Sequence, residues 1–391
     1  MPPVVMHPPV MPQRVTHPHV TLPPVMHLPV MLRRVTHPHV TLRHRWQFKS
    51  FVSSGEISAD LPFYVPTLAR LNPSQSRPMK SLLIDLLICP TCLPLEKELV
   101  CQIEEEHGTD ILSGFLKCDT CGTRYPIQEG TASLFPRTRE KNRKEPSKYE
   151  SPSVISSYLW SHFSDMLNEE EANTAYKDWG DLIGYQNGFS LDAGCAVGRF
   201  TFEMSMKSDF AVGIDNSHAL IWTARELMKN RQLKVTIKEE GLLTREKRIQ
   251  LPEKWSTDKV EFVVGDAQIL PFRSRTFSSL ATLNLVDKVP EPLRHLEELN
   301  RVARESEAQF LFSDPFSWSS EVAREENWLG GTHEGPFRGE GVHNVDSLLA
   351  GKKGELSPPW KIDKQGHVRW KIRTHRNHFE LIRSCFIKAS R

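Results

Sequence analysis

The sequence predicts an α/β protein built on a doubly wound, mostly parallel sheet, with a small cysteine-containing unit and a disordered segment ahead of it. Short apolar strands alternate with helical patterns from about residue 153 to residue 314, which is typical of successive βα units. The glycine-rich turn "LDAGCAVGRF", residues 191–200, follows the first of these strands. Two CxxC pairs lie nearer the N-terminus and indicate a separate small unit.

The composition is that of a globular protein, with 39% apolar and 25% charged residues. Residues 1–78 carry 8 Lys and Arg against 2 Asp and Glu, and the remaining residues hold 42 against 46. A mildly acidic body argues against nonspecific nucleic-acid binding, which needs a concentrated basic face. Neither a membrane-spanning run nor a secretory signal is evident, so we expect no membrane partner and a cytoplasmic location.

The first region, residues 1–78, repeats "VTHPHVTL" at residues 15–22 and 35–42. It contains 14 of the 28 prolines and 7 of the 16 histidines. Frequent proline removes backbone donors and blocks helices, so we expect this segment to be disordered or extended. Two interpretations stay open, a His-rich metal-binding tail and low-complexity sequence ahead of a start at Met79.

Three further regions follow along the chain. Residues 79–136 contain the CxxC pairs, residues 137–152 are a charged linker with Pro and Ser, and residues 153–391 hold the α/β pattern. From about residue 315 the chain is rich in Trp, Gly and His. We predict that this last part is a cap that closes over a site.

The two cysteine pairs form a metal-ligand pattern. Cys89 and Cys92 are separated by 25 residues from Cys118 and Cys121. Each CxxC turn brings two thiolates together, and two such turns complete a tetrahedral site. The pattern predicts a structural zinc ion with no open coordination position, and a redox disulfide is the alternative.

The cysteine-containing segment resembles the zinc-ribbon activator proteins that partner methyltransferases. The resemblance rests on both knuckles and on the "YPI..G...L.P" ending after the second one. In that family the ribbon binds a methyltransferase subunit and stabilises it. The resemblance therefore implies a zinc-ribbon domain that acts as a built-in activator of the domain that follows.

The glycine-rich turn distinguishes between nucleotide cofactors. A dinucleotide fingerprint has glycine at its first, third and sixth positions, which here are Gly194, Ala196 and Arg199. The arginine argues against NAD and FAD. The pattern present is Asp192, Gly194, Ala196 and Gly198, with an acid just before the turn. Such an acid repels a pyrophosphate but suits the cationic amino-acid end of S-adenosylmethionine.

Polar residues also end the next three strands. Asp215 ends the second, where a carboxylate can accept both ribose hydroxyls, although capping the following helix is the alternative. Asp266 and Ala267 end the third strand, and Asn284 ends the fourth. Together with the turn, residues 153–318 resemble a class I S-adenosylmethionine-dependent methyltransferase of the type 11-like kind. The resemblance implies a Rossmann-like fold, S-adenosylmethionine as cofactor, and contacts from Asp266 and Ala267 to adenine.

A second resemblance concerns the methyl acceptor. The stretches "NLVD" (284–287), "PFSW" (315–318) and "ENWLGG" (326–331) are similar to the mercaptohistidine N-methyltransferase module of ovothiol biosynthesis. This similarity implies methyl transfer to a nitrogen of a small molecule, such as an imidazole. The candidate bases are Asp287 and Asp314. The substrate candidates, for which core packing is the alternative, are Phe316, Trp318, Asn327 and Trp328.

Two other functions stay open. The zinc ribbon would direct the enzyme to RNA or to a translation-related protein, and a large basic patch would favour that function. A closed aromatic pocket would favour a small acceptor. The third possibility is a scaffold that binds S-adenosylmethionine without catalysis, and the complete set of Asp192, Asp215 and Asp266 argues against it.

Overall fold

The structure is a computed structural model, and it describes residues 79–108, 110–137 and 147–391. Residues 1–78 and most of the predicted linker lie outside these residues, so the expectations for them stay predictions. The strands are β1 (Val100–His107), β2 (Asp110–Lys117), β3 (Arg124–Gln128), β4 (Thr131–Leu134), β5 (Phe189–Ala193), β6 (Phe210–Asp215), β7 (Gln232–Glu240), β8 (Leu243–Gln250), β9 (Val260–Gly265), β10 (Phe277–Leu283), β11 (Gln309–Asp314), β12 (Lys361–His375) and β13 (His378–Ser390). The α-helices are α1 (Pro152–Phe163), α2 (Ala175–Gly180), α3 (Arg199–Met204), α4 (His218–Asn230), α5 (Pro292–Val302) and α6 (Gly341–Leu349).

One large sheet organises these elements. Its strand order is β1-β2-β3-β4-β9-β6-β5-β10-β11-β13-β12, and β7 and β8 form a separate hairpin. Strands β9, β6, β5, β10 and β11 are parallel to one another, and β13 runs antiparallel to β11. The chain moves outward from β5 to β6 and β9 and then returns to β10 and β11, so the strand order reverses between β5 and β10. The predicted doubly wound α/β fold is confirmed, and such sheets bind ligands at this reversal point.

The helices form because their apolar residues line one side. In α5 the buried residues include Leu296, Leu299 and Val302, which recur at helical spacing and pack on the sheet. Strands β9 and β11 are buried along their whole length. This continuous burial is typical of a parallel sheet, because helices cover both of its faces.

The cysteine-containing unit joins the main sheet directly. Strand β4 pairs with β3 on one side and with β9 on the other, where Ser133 lies opposite Val264 and Leu134 lies opposite Gly265. All the described residues accordingly belong to one compact unit. The predicted boundary near residue 136 falls just after β4.

The C-terminal part differs from the prediction of a cap. Residues 361–391 form β12 and β13, and β13 extends the main sheet by pairing with β11. Exposed charged residues such as Lys364, Arg369 and Arg383 interrupt the apolar pattern of these strands, so the sequence does not resemble a buried strand pair. The part of the predicted cap that lies outside the sheet is residues 315–360, which include α6.

The helices of the described residues do not reach the length and hydropathy of a membrane span. Over residues 79–108, 110–137 and 147–391, none is both long enough and apolar enough to cross a bilayer.

Candidate active site and metal centre

The four cysteines of the CxxC pairs lie together. Their sulfur atoms are all within 4.8 Å of one another, with 3.6 Å between Cys89 and Cys121 and 3.8 Å between Cys92 and Cys118. A disulfide requires about 2.05 Å, so these sulfurs are not bonded in pairs. Zinc–sulfur bonds of about 2.3 Å place the sulfurs of a tetrahedron about 3.8 Å apart. The geometry therefore suits a structural zinc ion.

The turn after β5 has a backbone that favours glycine. Gly194, Ala196 and Gly198 have φ values of 81°, 46° and 81°. A Cβ atom at Gly194 would lie 2.7 Å from the side chain of Leu285, and one at Gly198 would lie 2.6 Å from the ring of Phe262. Larger residues are thus excluded at both glycines. At Ala196 the left-handed backbone costs an L residue about 1–2 kcal/mol.

Asp215 connects the end of β6 to this turn. Its Oδ2 accepts a hydrogen bond from the backbone N–H of Ala196 at 3.0 Å, and its Oδ1 accepts one from Ser217 at 2.9 Å. The N-cap of α4 is Ser217, whose hydroxyl oxygen accepts a bond from the N–H of Leu220 at 3.2 Å. The residue that caps this helix is therefore Ser217 and not Asp215. Burial raises the pKa of Asp215, and the two backbone donors act against that shift.

Asp192 and Asp266 lie at the carboxyl ends of their strands. Asp192 is buried in β5 and accepts a hydrogen bond from the Thr201 hydroxyl at 2.7 Å. Burial raises the pKa of Asp192 to about 7, although the Thr201 bond opposes this change. Asp266 follows β9, and its Oδ1 accepts bonds from the backbone and side-chain N–H groups of Gln268 at 2.9 and 3.0 Å.

Two further backbone positions are fixed by side chains at this edge. The ring of His295 contacts the carbonyl oxygen of Ala267 at 2.9 Å and the Thr282 hydroxyl at 2.9 Å, and burial lowers the pKa of this histidine. Asn284 has a left-handed backbone with φ of 56°. Its Oδ1 accepts a hydrogen bond from the hydroxyl of Ser384 in β13 at 2.7 Å.

Asp287 and Asp314 form a buried carboxylate pair after β10 and β11. Oδ2 of Asp287 accepts bonds from Lys288 Nζ and the backbone N–H of Ser317, both at 2.8 Å, while its Oδ1 has no partner among the described residues. Asp314 accepts a bond from the N–H of Phe316 at 2.7 Å. Burial, followed by the nearby charge of Asp287, raises the pKa of Asp314 well above its usual range. Burial also raises the pKa of Asp287.

Two family models match the chain. Residues 191–307 match the methyltransferase domain family, and residues 80–130 match Trm112p-like proteins. The chain contains a methyltransferase domain and a Trm112p-like domain. The predicted pair of domains is confirmed, while the similarity to the ovothiol module stays a prediction. The predicted cofactors fit this pair, because S-adenosylmethionine suits a methyltransferase domain and the four cysteines suit zinc.

Several solved structures resemble the chain. A complex of the Haloferax volcanii Trm112 methyltransferase activator with a methyltransferase is 11% identical and covers 63% of this chain and 99% of its own, with a TM-score of 0.38. A SAM-dependent methyltransferase from Aquifex aeolicus is 15% identical, covers 61% and 97%, and has a TM-score of 0.34. The YcgJ protein of Bacillus subtilis is 12% identical, covers 56% and 98%, and has a TM-score of 0.35. Among curated proteins, none matches the chain.

The aromatic substrate candidates of the methyltransferase domain pack against one another. The rings of Trp318 and Trp328 are stacked at 6.1 Å, and Phe316 lies 6.1 Å from Trp318. Trp328 donates its indole N–H to the carbonyl of Ala323 at 3.0 Å, and Asn327 donates to the carbonyl of Pro290 at 3.1 Å. These contacts favour the packing alternative over a free substrate wall. The four residues do lie together, in the segment between β11 and α6.

The structure adds residues that the sequence analysis placed in the linker. Glu150 accepts hydrogen bonds from the backbone N–H groups of His218 and Ala219, both at 3.0 Å, at the start of α4. The Ser217 hydroxyl donates to the carbonyl of Tyr149 at 3.3 Å. The segment Lys148–Glu150 is therefore fastened beside Asp215. The surrounding sequence is charged, contains proline and has no apolar periodicity. The sequence therefore did not indicate that this segment lies beside Asp215.

Tyr149 of this segment packs against Tyr158 of α1. Their rings meet edge to face at 5.9 Å. Burial is the main cause of the raised pKa of each phenol, and the charges of Asp215 and Asp287 raise both further.

Proposed function

We propose that this chain is an active S-adenosylmethionine-dependent methyltransferase that transfers a methyl group to a nitrogen atom of a small molecule. The observation that carries the proposal is the unpartnered Oδ1 of Asp287, a residue only 1% exposed. A buried acceptor oxygen without a hydrogen bond is costly, and an N–H group of a bound ligand would satisfy it. It lies three residues after Asn284, at the sheet edge where the strand order reverses.

The residues at this edge fit the cofactor. Asp215 would hold the ribose hydroxyls, and Asp266 with Ala267 would hold the adenine. The turn from Gly194 to Gly198 and the acid Asp192 would hold the methionine end, whose ammonium group suits a carboxylate. S-adenosylmethionine supplies an electrophilic methyl group on a sulfonium centre.

The protein side of the reaction follows from Asp287. Its free oxygen would accept a hydrogen bond from the N–H of the acceptor and so orient the reacting nitrogen, which in an imidazole is the other, unprotonated ring nitrogen. Bound S-adenosylmethionine would supply the methyl group, and the N–H proton of the acceptor would leave to Asp287 or to water so that the methylated product is neutral. Lys288 Nζ contacts the other oxygen of Asp287 at 2.8 Å and holds the carboxylate in place. Asp314 supports the loop by accepting hydrogen bonds from the backbone N–H groups of Phe316 at 2.7 Å and Asp287 at 3.4 Å.

Two observations favour a small acceptor. Asp287 is buried beside the loop after β11, from which it accepts the N–H of Ser317, and a buried reacting position admits only a small molecule or an extruded group. On the Trm112p-like domain, strand β1 exposes consecutive acids, Glu104, Glu105 and Glu106. Such a strand would repel a nucleic acid. The ovothiol-like stretches make imidazoles the first acceptors to test.

A second candidate is an RNA acceptor, and one surface favours it. The hairpin of β12 and β13 exposes Lys364, His367, Arg369 and Arg383, with Arg369 opposite Arg383 across the strands. This basic strip continues toward Ser384, which donates to Asn284 of the site. An RNA strand on the strip would reach the site only if it extruded a base.

The test is calorimetric titration of S-adenosylmethionine into the zinc-loaded full chain. We expect binding in the native protein and its loss in Asp215→Ala. Asp181→Ala is the matched control, because Asp181 is exposed at the end of α2. Methyl transfer to imidazoles or to RNA fractions is then followed by mass spectrometry. Absence of cofactor binding in the native chain would refute the proposal, and transfer to RNA alone would select the second candidate.

A further inference from the structure

The tyrosine of the "YPI..G...L.P" ending, Tyr125, contacts the cysteine cluster without being one of its ligands. It lies in β3, is 1% exposed and belongs to the core cluster against which all four cysteines pack. Its hydroxyl oxygen is 3.1 Å from Sγ of Cys89, and both groups are buried. A buried phenol usually has a hydrogen-bond partner. Here that partner is a sulfur of the candidate zinc site.

The same hydroxyl is held on its other side by Thr91, which lies between Cys89 and Cys92. The backbone N–H of Thr91 donates to the Tyr125 oxygen at 3.3 Å, and the Thr91 hydroxyl oxygen is 2.7 Å from it. The Thr91 hydroxyl oxygen in turn accepts the backbone N–H of Arg137 at 3.4 Å. A continuous row of hydrogen bonds therefore connects the end of the Trm112p-like domain to the Cys89 sulfur.

The available protons fix the direction of these bonds once zinc is bound. A phenol has one proton to donate, and a zinc-bound cysteine is a thiolate, which can only accept. The bond to Cys89 therefore uses the Tyr125 proton. The Thr91 hydroxyl must then donate to Tyr125, because the phenol has no second proton to give back. Donation runs from Arg137 through Thr91 and Tyr125 to Cys89.

This direction has a consequence for the charge of the site. Four thiolates around a Zn²⁺ ion leave a formal charge of about −2, and both Cys89 and Cys118 are fully buried. Buried charge is costly unless hydrogen bonds compensate it, and bonds to an ionised acceptor are the stronger kind. We infer that Tyr125 is a positioning residue of the zinc centre, whose hydroxyl donates to the Cys89 thiolate in an orientation that Thr91 fixes.

The experiment measures how the full chain binds metal without its Tyr125 hydroxyl. Zinc affinity is obtained by competition with a chromophoric chelator, and the cobalt-substituted protein gives the sulfur-to-metal charge-transfer band. In Tyr125→Phe we expect zinc affinity to fall by at least about tenfold. The cobalt band should move to longer wavelength, because a sulfur without a hydrogen bond releases electron density more easily. A packing role alone would leave the band in place, and circular dichroism checks that the variant folds.

Tyr185→Phe is the matched control, because it also removes a phenol that donates to an acidic group. The Tyr185 hydroxyl donates to Asp209 at 2.8 Å, outside the Trm112p-like domain. This variant should leave both the zinc affinity and the cobalt band unchanged. Unchanged affinity and an unchanged band in Tyr125→Phe would overturn the inference.

Thr91→Val tests the direction of donation. It removes one donor to the Tyr125 oxygen, so zinc affinity should fall, although by less than in Tyr125→Phe. If Tyr125 instead donated to Thr91, the same variant would free the phenol proton for Cys89. A rise in zinc affinity would therefore overturn the inference. Failure of the native chain to bind either metal would refute the zinc centre and the role of Tyr125 with it.

Discussion

The backbone N–H of Ala196 donates to Oδ2 of Asp215 at 3.0 Å, so the turn after β5 is tied to the end of β6 by a main-chain group. The alanine methyl group takes no part in this bond. It instead sits on a backbone with φ of 46°, where an L residue is strained. The turn therefore retains its link to Asp215 whichever small residue stands at position 196.

The first prediction is that Ala196→Gly stabilises the protein slightly and leaves cofactor affinity unchanged. Glycine removes the strain of about 1–2 kcal/mol but costs about 0.5–1 kcal/mol in unfolded-state entropy, so the net gain is at most about 1.5 kcal/mol. Urea unfolding measures the stability and calorimetry the affinity for S-adenosylmethionine. A tenfold loss of affinity would show that the methyl group itself contacts the ligand.

The second prediction concerns Asp192 and pH. Its pKa is about 7 in the folded chain, above the unfolded value of 3.8. An acid with a raised folded pKa stabilises the fold below its unfolded pKa, and this contribution is lost as the pH rises through the folded value. The native chain should therefore lose roughly 3 kcal/mol of unfolding free energy between about pH 4 and pH 7 through this group alone.

Asp192→Asn removes the titration while keeping an oxygen that can accept the Thr201 bond. The difference in unfolding free energy between this variant and the native chain should thus grow from pH 4 to pH 7. Urea titrations at several pH values measure that difference. A constant difference across the range would mean that Asp192 stays ionised in the fold, with another group near the turn compensating its charge.

The residues of the site that could be predicted lie in short, local sequence patterns. The CxxC pairs and the turn from Asp192 to Gly198 are continuous in sequence, and strand alternation placed Asp215 and Asp266 at strand ends. Tyr158 and Trp370 meet only through a tertiary contact between α1 and β12, which no local pattern contains. Strand β12 was itself difficult to predict from the sequence. Its exposed face is charged, whereas a central strand of a parallel sheet would be apolar.

The third prediction is that zinc supports the cofactor site. Ile88 precedes the ligand Cys89, and its N–H donates to the carbonyl of Pro271 at 2.9 Å. The loop that contains Pro271 begins at Asp266, just after the strand that pairs with β4. Removing the metal should loosen this loop and weaken S-adenosylmethionine binding as well as lower the melting temperature.

Chelation and Cys89→Ser both test this effect by calorimetry and thermal unfolding. Cys101→Ser is the control, because Cys101 is in β1 and is not one of the four clustered cysteines. Restoring zinc to the chelated protein should restore binding. Unchanged affinity for S-adenosylmethionine in the metal-free chain would show that loss of zinc does not alter the loop that begins at Asp266.

The fourth prediction concerns a buried ion cluster between the domains. Glu261 in β9 is fully buried, pairs with Arg225 of α4, and accepts a hydrogen bond from the backbone N–H of Lys80 at 2.8 Å. Lys80 also donates through Nζ to the carbonyl of Val260 at 2.7 Å. The cluster therefore links the start of the Trm112p-like domain to a central strand and to the helix that follows Asp215.

Glu261→Gln should lower the unfolding free energy by about 3–5 kcal/mol, because it leaves the buried guanidinium of Arg225 without its carboxylate. Glu253→Gln, an exposed position before β9, is the control and should change stability by less than about 0.5 kcal/mol. Urea unfolding followed by far-UV circular dichroism measures both. Because β9 pairs with β4, a single cooperative transition should persist in the variant. A separate early transition of the Trm112p-like domain would show that Glu261 holds the domains together rather than stabilising the main sheet.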